Sequence, residues 1–356
     1  MKFEIFTIKE SKNWHEYINK LPENQQDIYF MPEYYNLYEK YGDGIAKCFA
    51  FEFKGEIALY PFLINKVDNE LYELDNQYFD IQGAYGYNGV AASTYDEQFI
   101  NEFYNAFSDF CNQNNIIAEF TRFHPLLKNH EFSKNHLKVI KDRQVVYLKL
   151  IKDIDKIWTE NYSSNNRNMI RKSKKSNVIS SVVTDENSYK VFYENYLNTM
   201  KAVNASEYYY FNEDYVLNFN SFLGKKQKLI EARYNNQVIG GMLLMLNGEF
   251  AHYHLSSRDR KFSSLAANNL VLDEAIKIAI ESGAEYFHFG GGNSNNSDDP
   301  LFKFKANFSK GRADFYIGKK IHNELIYNRI CDIWENKYPE KKEKFVNFLL
   351  KYKETN

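Results

Sequence analysis

Tyr286 to Gly318 reads YFHFGGGNSNNSDDPLFKFKANFSKGRADFYIG, a short apolar run that ends in three glycines and then turns basic. Tyr286 to Phe289 alternates with period two, as a buried strand does, and Gly290, Gly291 and Gly292 allow backbone conformations that side chains forbid. Backbone can therefore approach a ligand closely at this point. After the polar spacer Asn293–Asp299 and the break at Pro300, Leu301 to Lys305 alternates apolar and cationic residues, and a last strand begins near Asp314. If Leu301–Lys305 is extended, Lys303 and Lys305 share one face and Phe302 and Phe304 the other. A strand end, free amides and an ammonium suit an anionic or carbonyl oxygen. No Gly-Lys-Ser/Thr opens a helix here, so the pattern is not a Walker motif.

Working outward, the chain repeats a plan. Lys47–Lys54 and Glu56–Ile64 read as a hairpin, followed by the glycine-rich Tyr78–Gly89, a helix over Asp96–Gln113 and a strand over Ile116–Phe123. A second hairpin, Leu229–Tyr234 and Val238–Leu246, is followed by a strand (Glu249–Ser256), a helix (Asn268–Ser282) and the strand Tyr286–Phe289. This predicts an α+β fold of two similar domains, each a mostly antiparallel sheet flanked by helices, with the boundary near residue 150: 1–150 and 151–356. The tail reads as two helices, Asn323–Tyr338 and Glu340–Tyr352, with a solvated Lys-rich face.

With 356 residues each half can bury its own core, and a net charge of −2 argues against DNA or general nucleic-acid binding. The longest apolar run, Val238–Leu246, is too short to span a bilayer, and the start has no leader pattern, so a cytoplasmic protein is expected. Cys48, Cys111 and Cys331 are widely spaced and suggest neither disulfides nor a metal site. The 29 Tyr and 29 Phe, beside many Asn and Lys, could form sugar platforms or equally reflect the coding composition of an AT-rich genome.

Several clusters outside the opening stretch could carry chemistry. Arg167, Arg171, Lys174 and Lys175 recur at helical spacing after a hydroxyl-rich start, which suits a phosphate as well as a solvated face. Arg122 and His124 close the strand Ile116–Phe123, where side chains can leave the core for a cleft. Tyr208 and Tyr209 lie in an aromatic loop, ASEYYYF. His252 and His254 alternate on a strand, but no third ligand follows at a suggestive spacing, so no metal is expected. No nucleophile elbow and no HExxH appear, which favours direct attack by an acceptor.

The run F-G-G-G, D-P-L-F-K-F-K, F-S-x-G and D-F-Y-I-G-K-K-I resembles the C-terminal signature of the FemAB-like acyltransferases, a branch of the GNAT superfamily. R-x-x-I-R-K-x-x-K at Arg167–Lys175 and R-F-H-P-L at Arg122–Leu126 are similar to the same family. The resemblance implies two tandem GNAT-like domains, with Lys305 at the acyl-transfer centre and Gly290, Gly291, Gly292 and Lys303 around it. It places Arg167 and Arg171 on the acceptor's phosphates, Arg122, His124, Tyr208 and Tyr209 in acceptor binding, and His254 beside the reacting amine.

In ordinary GNAT enzymes Q/R-x-x-G-x-G/A holds the diphosphate of coenzyme A at the place of Ser257–Asn269, where Asn268 and Asn269 fall. No glycine occurs in this window, so weak coenzyme A binding and an aminoacyl-tRNA donor are expected. Between Tyr196 and Lys228 there is no room for the coiled-coil arm of the bridge-building relatives, which counts the other way. The leading expectation is an acyltransferase acting on the amine of a cell-envelope glycan or peptidoglycan precursor, without a tightly bound cofactor. Its acceptor would be a nucleotide- or lipid-linked amino sugar or a muropeptide, met in the cytosol or at the inner membrane surface. Alternatives are an N-acetyltransferase of capsule or lipopolysaccharide amino sugars using acyl-CoA or an acyl-carrier thioester, and an inactive GNAT-like binding module.

Overall fold

The computed structural model describes residues 2–355. Along the chain run β1 (Lys2–Thr7), α1 (Ser11–Ile18), α2 (Pro32–Tyr41), β2 (Ile45–Phe53), β3 (Glu56–Lys66), β4 (Phe79–Gln82), β5 (Ala91–Ala92), α3 (Glu97–Gln113), β6 (Ile116–Arg122), α4 (His130–Ser133) and β7 (Lys138–Lys149). There follow α5 (Ile154–Glu160), α6 (Ser164–Lys175), β8 (Ile179–Val183), α7 (Glu186–Ala202), α8 (Glu213–Leu223), β9 (Gln227–Tyr234), β10 (Gln237–Asn247), β11 (Phe250–Arg258), α9 (Ala267–Glu281), β12 (Tyr286–Gly290), α10 (Pro300–Ala306), β13 (Gly311–Ile321) and α11 (Glu324–Lys337). Two compact units result: 1–142 with 315–356, and 143–314.

Both hairpins form where expected, and both use two-residue turns with positive φ at each position. Lys54 and Gly55 turn β2 into β3, and Asn235 and Asn236 turn β9 into β10. Such turns match the right-handed twist of the strands they join. In the first unit the order is β1-β2-β3-β4-β6-β13, antiparallel except for the parallel pair β4/β6. In the second it is β7-β12-β11-β10-β9-β8, with β11/β12 the parallel pair. A parallel pair needs a crossover connection, and α3 and α9 supply it. Each unit is thus a mostly antiparallel sheet flanked by helices, the GNAT-like plan expected twice.

The cores differ in filling. Phe99, Phe103, Phe107 and Phe110 of α3 pack on Phe49, Phe51 and Phe62, so much of the aromatic content is interior rather than ligand platform. In the second unit Leu270, Val271, Ala275, Ile276 and Ala279 of α9 lie over Ile230, Leu244 and Ala251.

The tail departs from the sequence reading, because it returns to the first unit instead of extending the second. β13 pairs with β6 from Ile317↔Arg122 to Ile321↔Ala118, and Tyr327, Ile330 and Trp334 of α11 are buried with Val67, Tyr72, Ile117 and Ala118. Beyond α11 the chain forms only short 3-10 turns where a second helix was expected. These turns still carry core residues: Phe345, Leu349 and Tyr352 join the same cluster, and Tyr327 Oη donates to the Leu349 carbonyl at 2.7 Å. Trp334→Ala should therefore destabilise the first unit by about 3–5 kcal/mol, the usual cost of emptying a buried indole site. Urea denaturation checks this; a change below about 1 kcal/mol would mean the tail is an appendage.

Candidate active site

Asp299 organises the stretch after β12. Its Oδ2 accepts from the Asn293 amide (3.0 Å), the Ser294 amide (3.1 Å) and Ser294 Oγ, while its Oδ1 accepts from the amides of Leu301 and Phe302. One carboxylate thus closes the glycine turn and caps α10. Burial works against its charge, yet the backbone donors of Phe302, Ser294 and Leu301 hold its carboxyl below the usual range. Asp299 followed by Pro300 is an N-cap with proline at the first helical position.

Leu301–Lys305 is therefore helical, where alternation suggested an extended run, and the two lysines part company. Lys303 is exposed and pairs with Asp298 at 2.7 Å. Lys305 is only 6% exposed, and its Nζ donates to the Gly291 carbonyl at 2.7 Å while lying 5.2 Å from the Tyr253 ring centroid. Burial lowers its pKa to about 7, and the charge of Asp299 only partly opposes this.

The glycines receive the protein's own groups. Gly290 has φ +78, and a Cβ there would lie 3.3 Å from Lys305 Nζ. At Gly291 a Cβ would crowd Arg143 Cδ and the Gln144 carbonyl, and at Gly292 it would collide with Asp299 Cγ at 2.6 Å. Their first physical task is to let Lys305 and Asp299 close over the turn.

Beside Lys305 the sheet opens. β11 and β12 stay paired only from Phe250↔Tyr286 to His252↔His288, while β11 continues to Arg258. A small, partly open cleft is lined by Gly241, Met242, Tyr253, Ser256, Asn268, Val271, Leu272 and Phe304. Tyr253 bonds Ser256 through its hydroxyl. At the cleft's rim α9 begins without a side-chain cap, and Ala266 before it takes the left-handed conformation, φ 55 and ψ 37. A left-handed residue thus precedes α9 without a glycine, and no side chain caps the first amides of the helix. Asn269 Nδ2 donates to Oδ1 of the wholly buried Asn166 at 2.8 Å, and Asn166 Nδ2 has no partner.

Other expected residues are held differently. His254 occupies a bulge in β11, and its ring turns to α8, bonding Tyr215 Oη at 2.8 Å and stacking on Phe219. Burial, then the neighbouring His252, lowers its pKa to about 3, so it stays neutral. It points to α8 while its neighbour Tyr253 points to Lys305, and the structure does not bring His254 to the lysine. His252 lies against His288 of β12, Nδ1 to Nδ1 3.4 Å.

Arg167 Nη1 donates to the carbonyls of Tyr162, Trp158 and Thr159, which terminates α5. Arg171 bonds Asn168 and lies over the Trp158 ring. Lys174 reaches Asp273 at 3.5 Å, so the basic helix face is woven into its neighbours rather than wholly solvated. Tyr208 is exposed against Phe211, and the Tyr209 carbonyl accepts from Tyr196 Oη.

Arg122 and His124 belong to the first unit. Arg122 is tied through its backbone to Asn88. His124 is wholly buried, accepting at Nδ1 from the Leu127 amide and facing Asp27 and the Tyr29 and Tyr87 rings. Tyr253, Ser256 and Asp299 were not singled out by sequence; for Asp299 the Asp-Pro pair was a usable signal.

The burial of Lys305 has a measurable consequence for stability. Its proton binds less tightly folded than unfolded, so the native state gains stability as pH rises from about 7 towards the ordinary lysine value. Urea denaturation of the wild type should show this gain, and Lys305→Met, which keeps the apolar stem, should show a flatter profile. Parallel profiles would mean that the ammonium is hydrated.

Residues 161–304 match the family model described as an acetyltransferase (GNAT) domain. No curated protein matches the sequence. The fold is similar to that of FemX, with TM-score 0.70 and 14% identity over 92% of this chain and 99% of that one. It is also similar to the C-terminal domain of a putative lysylphosphatidylglycerol synthetase from Agrobacterium fabrum, with TM-score 0.53, 11% identity and coverage of 93% and 96%. A tandem GNAT protein from the clavulanic acid biosynthesis pathway gives TM-score 0.50, 9% identity and coverage of 89% and 98%.

Proposed function

We propose, for a chain with the tandem GNAT fold of the FemAB-like acyltransferases, that it moves an aminoacyl or acyl group onto the amine of a cell-envelope glycan or peptidoglycan precursor, with Lys305 at the transfer centre. The observation that carries this reading is the buried ammonium of Lys305, fixed on the Gly291 carbonyl beside the opening between β11 and β12. The acceptor's nitrogen attacks the ester or thioester carbonyl, a tetrahedral oxyanion forms, the C–O or C–S bond breaks, and the proton released by nitrogen passes to the leaving group. A preorganised cation in a dry site stabilises that oxyanion more than the neutral carbonyl.

Losing one such donor costs roughly 10²–10³ in rate. Lys305→Met should therefore lower kcat by about that factor while remaining folded. Because Lys305 loses its proton as pH rises through about 7, the wild-type kcat should fall on the alkaline side near that value, and the variant should lack this limb. A folded variant with near-normal turnover would remove Lys305 from the chemistry, and a rate that climbs through the lysine's titration would make it a base.

A second reading of the donor, an acyl-CoA or acyl-carrier thioester in place of aminoacyl-tRNA, is supported by the uncapped start of α9 behind left-handed Ala266. It is the same class of transfer with a phosphate at the helix start, and it fits an N-acetyltransferase of amino sugars. Calorimetry with acetyl-CoA should then give micromolar binding that Ala266→Gly preserves and Ala266→Val weakens, since a β-branched residue resists the left-handed region. No heat with acetyl-CoA, together with turnover of charged tRNA, would return the donor to tRNA. A nucleotide- or lipid-linked amino sugar or a muropeptide remains the proposed acceptor, with Arg171 and Tyr208 as exposed groups for it.

A further inference from the structure

Past α11, Phe345 and Leu349 turn into the core of the first unit while Val346 and Phe348 between them point out, 64% and 55% exposed. Leu325, in the first turn of α11, is 81% exposed, and the Tyr327–Leu349 bond ties that turn to the same segment. Exposed aromatic and aliphatic side chains grouped on one segment mark a contact surface more often than scattered singles do.

Lysines surround this apolar tip. Lys319 Nζ donates to the carbonyl of Asn347, the residue between Val346 and Phe348, and Lys344 lies 4.8 Å from the Phe345 ring centroid. Lys319 is held below its usual pKa by burial and then by the nearby charge of Lys138, with Asp142 as a partial counter-charge. From Lys337 to Lys353 the sequence has six lysines against two glutamates, in a chain whose net charge is −2. Some of that charge is engaged, since Lys342 and Lys351 pair with Glu335 and Lys353 pairs with Asp80. Lys344 and Lys319 reach this segment on either side of Val346, at the Phe345 ring and the Asn347 carbonyl, and Lys138 lies near Lys319. Among the described residues no helix is long and apolar enough to cross a membrane.

We propose that this tip is a docking surface for an anionic lipid bilayer, with Phe348 and Val346 entering the interface and Lys138, Lys319 and Lys344 meeting the headgroup charge. Apolar side chains and flanking cations act together at such a surface, each too weak alone for stable attachment. The surface belongs to the first unit and Lys305 to the second, so it stands whether or not the acyl-transfer reading does.

Co-sedimentation of the full chain with vesicles tests it, using phosphatidylcholine alone and phosphatidylcholine with one quarter phosphatidylglycerol. Binding should appear on the anionic vesicles, fall with added salt, and drop about tenfold or more in Val346→Ser/Phe348→Ser. The double variant should keep the wild-type melting temperature and any turnover on a soluble acceptor, because neither side chain belongs to the active site. Absence of binding to anionic vesicles, or equal binding by the double variant, would overturn the proposal. A concentration-dependent dimer that the double variant abolishes, without vesicle binding, would assign the tip to a second copy of the chain instead.

Discussion

The candidate site depends on how one carboxylate divides its bonds. Asp299 Oδ2 gathers the amides at the end of the glycine turn, and Oδ1 starts α10. That division fixes the distance between Gly291 and Lys305, which lie fourteen residues apart in sequence but 2.7 Å apart in space. The three glycines are the other half of the same constraint, since a side chain at any of them would meet Lys305, Arg143 or Asp299. A lysine cannot be desolvated this far unless its acceptor is rigid, because a mobile carbonyl would let water or the side chain escape.

The two units share a plan but close it differently. Their equivalent crossover helices show the contrast. α3 has its N-terminus sealed by Asp96, which accepts from the Phe99 amide, and its face filled with phenylalanines. α9 starts after a left-handed alanine with no cap, and its face is built from smaller residues. The first unit spends its aromatic content on a packed interior, and the second keeps a small cleft beside the start of α9. The first unit carries exposed Val346 and Phe348 on its surface, among lysines of the tail.

Much of the fold was legible because it rests on local signals. Period-two runs, two-residue turns and helical spacing are properties of neighbours in sequence, so both hairpins, α3, α6 and α9 appeared where the pattern put them. Lys305 and the glycines were legible through resemblance and composition. The misplaced pieces have identifiable causes. Five alternating residues are too few to separate strand from helix, and the capping Asp299-Pro300 pair was the better guide to α10. The tail was assigned by adjacency, although its apolar residues complete the core around Ile117 and Trp334 far back in the chain.

The sequence by itself determined the alternation of elements and the duplication, because these follow from spacing and side-chain type, and through resemblance it pointed to the candidate site residues. Only the tertiary structure decided where each of those residues points and what it touches. It desolvated Lys305 and left Lys303 in water, turned His254 to α8 and Tyr253 to the lysine, and drew Arg167 onto the end of α5. The physical reason is that direction, burial and partner are set by contacts between distant segments. A lysine's charge is written in the sequence, whereas the cost of removing that charge from water depends on everything the fold packs around it.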